Sequence, residues 1–483
     1  MVVNKSIKKN AVYNVIRRML TVIFPLITYP YATRVLGADS LGKVNYTYSI
    51  INYFTLLATF GVTSYGSREG AKYRDNSGEF NRFTKEVFSV NVFFSLASFL
   101  ALSVLAIVWK NDGSYSRLLF LQSGLIFFTA LGVDWINVVY EDYAYITIRS
   151  LSANIITLVF LFIFVKDKND YLLYSLLPVI SNGVICLSNL YYCRRYAQIK
   201  VESIKKAKNR IKPMSIFFVN ELTVSIYVNA DTTMLGIMTS DYNVGIYSVA
   251  VKIYTIIKTI FAAIYSVALS RLTYYFSKEM YEEYKKLLTE IVSVLFLLLI
   301  PGALGLLLLS SEISIIIGGS SFASSAYPLR ILSAALIFAI LGGIASSCIN
   351  LSMGLEKINL RATIYSAIIN IVLNIPCILL LKENGAALTT ALSELFVFLY
   401  CIKKNKNAFK YIELNEAKKN FIFSMVGCLC VALVCTGGRL IVKENFIRII
   451  FDVVISAVLY FAILLAFKNT LAISIISKIK KKK

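Results

Sequence analysis

Apolar blocks of about twenty residues fill nearly the whole chain, and Lys and Arg gather in every second gap between them. Leu295–Leu309 and Phe423–Val434 show the texture. Twenty residues at a rise of about 1.5 Å each match a hydrocarbon core about 30 Å thick. A single segment of that length satisfies its own backbone in lipid only as a helix. The blocks lie at roughly 11–36, 41–61, 85–109, 116–137, 144–165, 171–193, 214–238, 243–268, 287–310, 328–350, 359–381, 385–402, 420–438 and 447–467. The pattern predicts an all-α membrane protein of about 14 transmembrane helices. Its function is then something done in or across a bilayer.

Composition narrows the choice further. Only 16% of the 483 residues are charged, against about 25% in soluble domains, and no soluble domain fits between the blocks. A net charge of +23 raises the question of nucleic acid. With both termini assigned to the cytoplasm and the spans alternating, about 35 of the 50 Lys and Arg fall on the cytoplasmic side. About 11 fall outside or at the outer ends, and about 4 within spans. The stretch Arg194–Lys212 alone holds eight. That asymmetry is the positive-inside signal of topology, so no nucleic-acid partner is expected. The tail Lys480–Lys483 adds attraction to anionic lipid, about 1 kcal/mol per charge. The first block, after Lys5, Lys8 and Lys9, is too long for a cleaved signal and is expected to stay in the protein. There is no histidine, which removes His-based acid–base chemistry, Ser-His or Cys-His nucleophiles and His metal ligands. The eight cysteines form no CxxC, and most lie inside blocks, such as Cys348, Cys377, Cys428 and Cys435. They read as small packing residues. Neither metal nor cofactor is expected, and no catalytic constellation stands out.

The two halves repeat. Leu36-Gly37 returns as Leu235-Gly236, and Glu86-Val87-Phe88-Ser89-Val90 as Glu290-Ile291-Val292-Ser293-Val294. Leu125-Ile126-Phe127 returns as Leu336-Ile337-Phe338, and Ile136-Asn137 as Ile349-Asn350. Tyr192-Cys193, before two arginines, returns as Tyr400-Cys401, just before two lysines. The offsets run from 199 to 213 residues, in one order. An offset of six spans leaves both halves in one orientation, related by a pseudo-two-fold along the membrane normal, with a central cavity between two six-helix bundles. The expected organisation is a lobe at 1–195, a basic cytoplasmic linker at 196–213, a second lobe at 214–404, and two extra helices with a basic tail at 405–483. The longest outside loop is expected at Ser310–Tyr327.

Charge inside a span costs about 2.5–3.5 kcal/mol on insertion scales and so marks a partner or a water-filled path. Depth places Glu221 opposite Lys258, and Asp231 opposite Lys252, on the seventh and eighth spans. The four are either structural ion pairs or, for the lysines, anion ligands in the cavity. Glu394 sits mid-span with no obvious partner, a candidate for a coupling proton or cation. Arg17 and Arg18 sit at the cytoplasmic mouth of the first span. Arg34, Asp134, Arg149, Arg330 and Arg361 lie near span ends, where interfacial anchoring is expected. Pro25, Pro30, Pro178, Pro301 and Pro376 are expected to kink their helices, statically or as hinges.

Pro30-Tyr31-Ala32-Thr33-Arg34-Val35-Leu36-Gly37, then Gly42-Lys43-Val44-Asn45-Tyr46, Gly61-Val62 and Tyr65-Gly66-Ser67-Arg68-Glu69, resemble the Wzx-type oligosaccharide flippases of capsule and O-antigen assembly. These belong to the multidrug/oligosaccharidyl-lipid/polysaccharide exporter superfamily. Gly354-Leu355-Glu356-Lys357 and Gly385-Ala386-Ala387 add to the likeness, which runs through spans 1 to 12. The resemblance implies a non-enzymatic transporter of the bacterial cytoplasmic membrane. Its substrate would be an undecaprenyl-pyrophosphate-linked oligosaccharide, with Lys252, Lys258, Arg17, Arg18 and Arg34 as candidate ligands. Glu221, Asp231, Glu394 and Asp134 would be coupling or ion-pair groups. Membrane lipids, and a polymerase and glycosyltransferases, would be its partners. A lipid II flippase or a drug/cation antiporter of the same fold is the alternative. A membrane polymerase or glycosyltransferase is the alternative of another class, disfavoured by the short outer loops.

Overall fold

The computed structural model describes residues 7–109, 113–405 and 408–473, without the side chains of 7–12, 14, 15, 17, 18, 408 and 409. The candidates Arg17 and Arg18 and the tail Lys480–Lys483 therefore lie outside the described residues. Among these, every regular element is a helix. The chain divides into two compact units, residues 1–245 and 246–483.

The first unit holds α1 (Ile7–Thr59), α2 (Val62–Gly70), α3 (Ser77–Val108), α4 (Gly113–Gln122), α5 (Gly124–Leu131), α6 (Asp134–Val139), α7 (Tyr143–Phe164), α8 (Tyr171–Ser175), α9 (Leu177–Tyr192) and α10 (Ile204–Met238). It ends within α11 (Asp241–Ser277). The second continues with α12 (Tyr281–Leu308), α13 (Ser310–Gly318), α14 (Ala326–Gly343), α15 (Glu356–Leu381), α16 (Glu383–Lys404), α17 (Leu414–Ile441) and α18 (Asn445–Ala466).

Among the described residues, twelve helical stretches are long and apolar enough to cross a membrane. The first, Met19–Tyr73, takes in most of the first predicted span and all of the second. They part at Gly37, whose φ of 71° and ψ of 179° suit a residue without Cβ. The seventh predicted span, α10, is not among the twelve, because it carries a polar stripe. That stripe is matched within its own unit. Asn52 Nδ2 donates to Asn229 Oδ1 (3.2 Å), and the hydroxyls of Ser49 and Thr233 meet at 2.8 Å. Such bonds between helices contribute about 0.6 kcal/mol each in lipid. α10 also runs hard against Gly61, where a Cβ would stand 2.6 Å from the Phe218 amide nitrogen.

Several expectations change. The fourth predicted span is three pieces, α4 to α6, broken at Ser123 and at Val133, whose φ is 44°. Pro178 lies in the first turn of α9, where its missing N–H removes no helical bond, so it is no mid-span kink. The expected outside loop Ser310–Tyr327 is largely helical, as α13 and the 3-10 turn Ser320–Ser325. The stretch 196–213 is docked rather than free. Gln198 N donates to Asn81 Oδ1 (2.7 Å) and Glu202 N to Ser89 Oγ (2.7 Å). Arg210 Nε reaches Glu86 Oε2 at 2.7 Å. Beneath it Phe80, Phe83, Tyr65, Trp135 and Met214 form the buried aromatic core of this end.

The repeated Ile-Asn fragments end their helices in the same way in each unit. The Asn137 carbonyl accepts the Asp142 amide at 2.8 Å, and Val138 accepts that of Glu141, at φ 53°. In the second unit Asn350 accepts the Leu355 amide at 2.8 Å, and Leu351 that of Gly354, at φ 72°. Both are Schellman helix ends, with crossed 6→1 and 5→2 bonds around a left-handed residue. Asn137 Nδ2 donates to Asn189 Oδ1, and Cys193 Sγ to Asn137 Oδ1 at 3.4 Å. Asn350 Nδ2 donates to Asn359 Oδ1 at 3.0 Å, and Cys401 Sγ to the same oxygen at 3.8 Å.

Candidate functional site

Glu394 has partners after all. It is 6% exposed, on a helix that approaches α15 so closely that a Cβ at Gly385 would stand 2.0 Å from the Cys377 carbonyl oxygen. Lys258 Nζ lies 2.5 Å from Glu394 Oε1. Tyr254, four residues earlier on α11 and so on the same face, donates its hydroxyl to that oxygen at 3.1 Å. The ammonium also lies 5.5 Å from the centre of the Tyr254 ring. The expected pair Glu221–Lys258 is thus replaced by Lys258–Glu394. Lys258 keeps about one-third of its side chain exposed (32%). Lys252, six residues earlier on α11, is half-buried.

In the first unit Glu221 accepts the Ser64 hydroxyl at 2.6 Å, and Asp231 is buried on α10. Arg34 turns its guanidinium back to the Pro30 carbonyl at 2.9 Å. Arg149 is no interfacial anchor. Its side chain is 4% exposed and sits 3.0 Å from Asp134 Oδ1, which also accepts from Asn189 Nδ2 at 3.1 Å. Arg330 ties α14 to α13 through Ser310 (2.9 Å) and Ser311 (3.0 Å).

Other buried charges went unread in the sequence. Asp142 is 4% exposed and one of its oxygens accepts from Tyr192, Arg195 and Tyr196. The Tyr196 phenol is pushed up to about 12 by burial first, and by the Asp142 carboxylate second. Glu312 on α13 pairs with Arg448 on α18. Arg448 falls inside the last predicted span, so a count of charges there would have found it. Among the described residues no three His, Cys, Asp or Glu side chains converge as metal ligands, and the eight cysteines are free.

An all-helical chain with at least a dozen apolar crossings and paired charges buried among them is a multi-pass membrane protein. Its fold is that of lipid and drug exporters: it overlays on the lipid II flippase MurJ in an inward closed conformation with a TM-score of 0.76, over 95% of this chain and 99% of that one, at 16% identity. It overlays on an inward-facing multidrug MATE transporter of the MOP superfamily at 0.62, over 82% of this chain and 99% of that one, at 14% identity. The chain belongs to the polysaccharide biosynthesis protein family, whose profile matches residues 7–273, and the resemblance to Wzx-type flippases holds. A putative O-antigen transporter of Shigella dysenteriae is 22% identical over 402 residues, 83% of this chain and all of that protein. A probable low-salt glycan biosynthesis flippase of Haloferax volcanii is 27% identical over 229 residues, 46% of each chain. The alignment thus spans under half of that relative's length.

Proposed function

We propose that this protein flips an undecaprenyl-pyrophosphate-linked oligosaccharide repeat unit from the inner to the outer leaflet of the bacterial cytoplasmic membrane, for capsule, exopolysaccharide or O-antigen synthesis. The alignment along the full length of the Shigella O-antigen transporter carries this reading. The pyrophosphate is the physical obstacle, since bare charge in hydrocarbon costs tens of kcal/mol in the Born limit. A basic, polar cavity working by alternating access substitutes for water around the head group. Lys252, Lys258 and Arg34 are the described candidates to face the phosphates. Lys258 acts while held by Glu394, so its charge is fixed in place and its open side meets the ligand. With the cytoplasm negative, the field favours outward movement of an anion by about 2.3 kcal/mol per charge per 100 mV. No covalent chemistry is required, and the protein is a transporter rather than an enzyme. Both termini lie in the cytoplasm, near the glycosyltransferases that build the unit, and the polymerase acts on the delivered product.

Reconstitution tests it. Vesicles carrying the purified protein and an undecaprenyl-pyrophosphate-linked repeat unit in one leaflet should expose the sugar to a glycosidase on the other side. Exposure no faster than in protein-free vesicles overturns the proposal, and exposure of lipid II instead selects the alternative substrate.

A further inference from the structure

The last helix is built inside out. The buried residues of α18 are Arg448, Asp452, Ser456, Tyr460 and Leu464, a row with period four that is polar in all but its last member. The opposite face, with Ile450, Val454 and Val458, is exposed and apolar. Burying the polar face of a spanning helix requires something polar to face it. For Arg448 that partner is Glu312. For the next three there is none: both carboxyl oxygens of Asp452, the Ser456 hydroxyl and the Tyr460 hydroxyl are buried without a hydrogen-bond partner. Their residues are 0%, 6% and 8% exposed. All three line one cavity of about 300 Å³ between α12, α17 and α18. Two glycines of α17 let the row pack close to that helix. A Cβ at Gly438 would stand 1.9 Å from Asp452 Oδ1, and one at Gly427 would stand 2.7 Å from the Tyr460 ring.

We propose that Asp452 is a proton-binding carboxyl, loaded and unloaded through the Ser456 and Tyr460 hydroxyls and the cavity they line. The layout separates a proton from a metal ion. Residues four apart on a helix stand about 6 Å apart along its axis, whereas a bound cation needs several oxygens within about 2.6 Å. These groups form a line, not a shell. Carboxyl, hydroxyl and phenol can each donate and accept, and the cavity has room for several waters at about 30 Å³ each to bridge them. The step itself is one O–H bond formed on the carboxylate by a proton taken from water and returned to it. The charged and titratable groups around the row are Glu312 on α13, Cys428, Cys430, Cys435 and Arg439 on α17, and Arg448 on α18. α12 contributes apolar wall such as Leu297, Pro301 and Leu306. Arg448 and Glu312 offset each other, so Asp452 is the group of this face whose charge can change alone. The site is independent of the transported substrate.

Infrared difference spectroscopy of the purified protein in phosphatidylglycerol–phosphatidylethanolamine nanodiscs, titrated from about pH 4 to about pH 10 to bracket ordinary carboxyl values, tests it. The wild type should show a protonated-carboxyl band that grows as pH falls and shifts in D2O. The band should vanish in Asp452→Asn, move in Asp452→Glu and persist in Glu312→Gln. Wild-type and Asp452→Asn titrations that coincide overturn the proposal, as does an Asp452 band that does not change with pH. A band that responds to sodium ion at constant pH overturns it in favour of a metal cation. If Asp452→Asn fails to accumulate, Asp452→Glu decides alone, and an unmoved band overturns the assignment.

Discussion

Replacing Lys258 by Met leaves the Glu394 carboxylate buried with only the Tyr254 hydroxyl donating to it. Breaking a buried pair from one side costs about 3–5 kcal/mol, because an uncompensated charge remains. Lys258 is 32% exposed while Glu394 is 7% exposed, so water screens part of the interaction, and about 2–3 kcal/mol is expected. Glu394→Gln is milder. The amide oxygen still accepts from Tyr254, the freed ammonium can turn toward water, and about 1 kcal/mol follows from one weakened hydrogen bond. The double variant Lys258→Met with Glu394→Gln carries no buried charge and should lose only about 1–2 kcal/mol. The coupling energy from the four proteins is then about 2 kcal/mol, well above the roughly 0.5 kcal/mol scatter of independent sites. Denaturant unfolding in detergent micelles measures it. A coupling below that scatter, or a Lys258→Met protein no less stable than Glu394→Gln, would refute the charge-pair reasoning.

Gly385→Ala puts a Cβ 2.0 Å from a backbone oxygen with no flexible side chain to give way. It should destabilise by about 1–3 kcal/mol, and an unchanged unfolding curve counts against the close α15–α16 contact. In a protein freed of its eight cysteines, Ser320→Cys should react with an impermeant maleimide from outside and Lys205→Cys should not; both positions reacting from the same side would break the span count. Lys252→Ala should insert and accumulate but lose export, without rescue by Asp231→Ala; full activity of that double removes the lysine from the substrate path. Tyr196, with its phenol raised to about 12 from 10.0, stabilises the fold fully below about pH 10 and loses that contribution as pH rises toward 12. Tyr196→Phe should flatten the alkaline stability profile over that window, and an unchanged profile separates the phenol from stability.

The periodicity of apolar blocks carried most of the fold, because lipid leaves a spanning segment so few choices. It failed where helices break inside a block. The interruption at Val133 turns on one left-handed residue and the start of α9 at Leu177 on a proline in its first turn, neither of which hydropathy registers. It also failed at 196–213 and Ser310–Tyr327, where polar residues read as loop. Polar side chains there dock on other polar groups, as Arg210 does on Glu86 and Ser310 on Arg330. The candidate site was legible as a set of residues but not as a set of pairs. Depth alone put Lys258 beside Glu221. Depth says nothing of azimuth, and the face shared with Tyr254 turns Lys258 toward α16 and Glu394 instead.

The duplication shows which constraints are shared and which are not. Asn137 and Asn350 end their helices with the same crossed amide bonds, and each belongs to a buried Asn–Cys network. The crossed bonds use backbone carbonyls that any residue supplies, so what ties Asn to both positions is its side-chain amide, which donates to Asn189 in one unit and to Asn359 in the other. The in-span charges show no such correspondence. The first unit buries Arg149 against Asp134, while the second holds Lys258 against Glu394 and adds the polar face of α18, outside the repeat altogether. An axis along the membrane normal relates points at one depth, so this difference between the units does not itself distinguish inside from outside; a direction must come from the membrane field or from a coupled ion. The groups that respond to that field or to such an ion are charged ones inside the spans, and those are the residues the repeat leaves unmatched: Lys252, Lys258, Glu394 and Asp452.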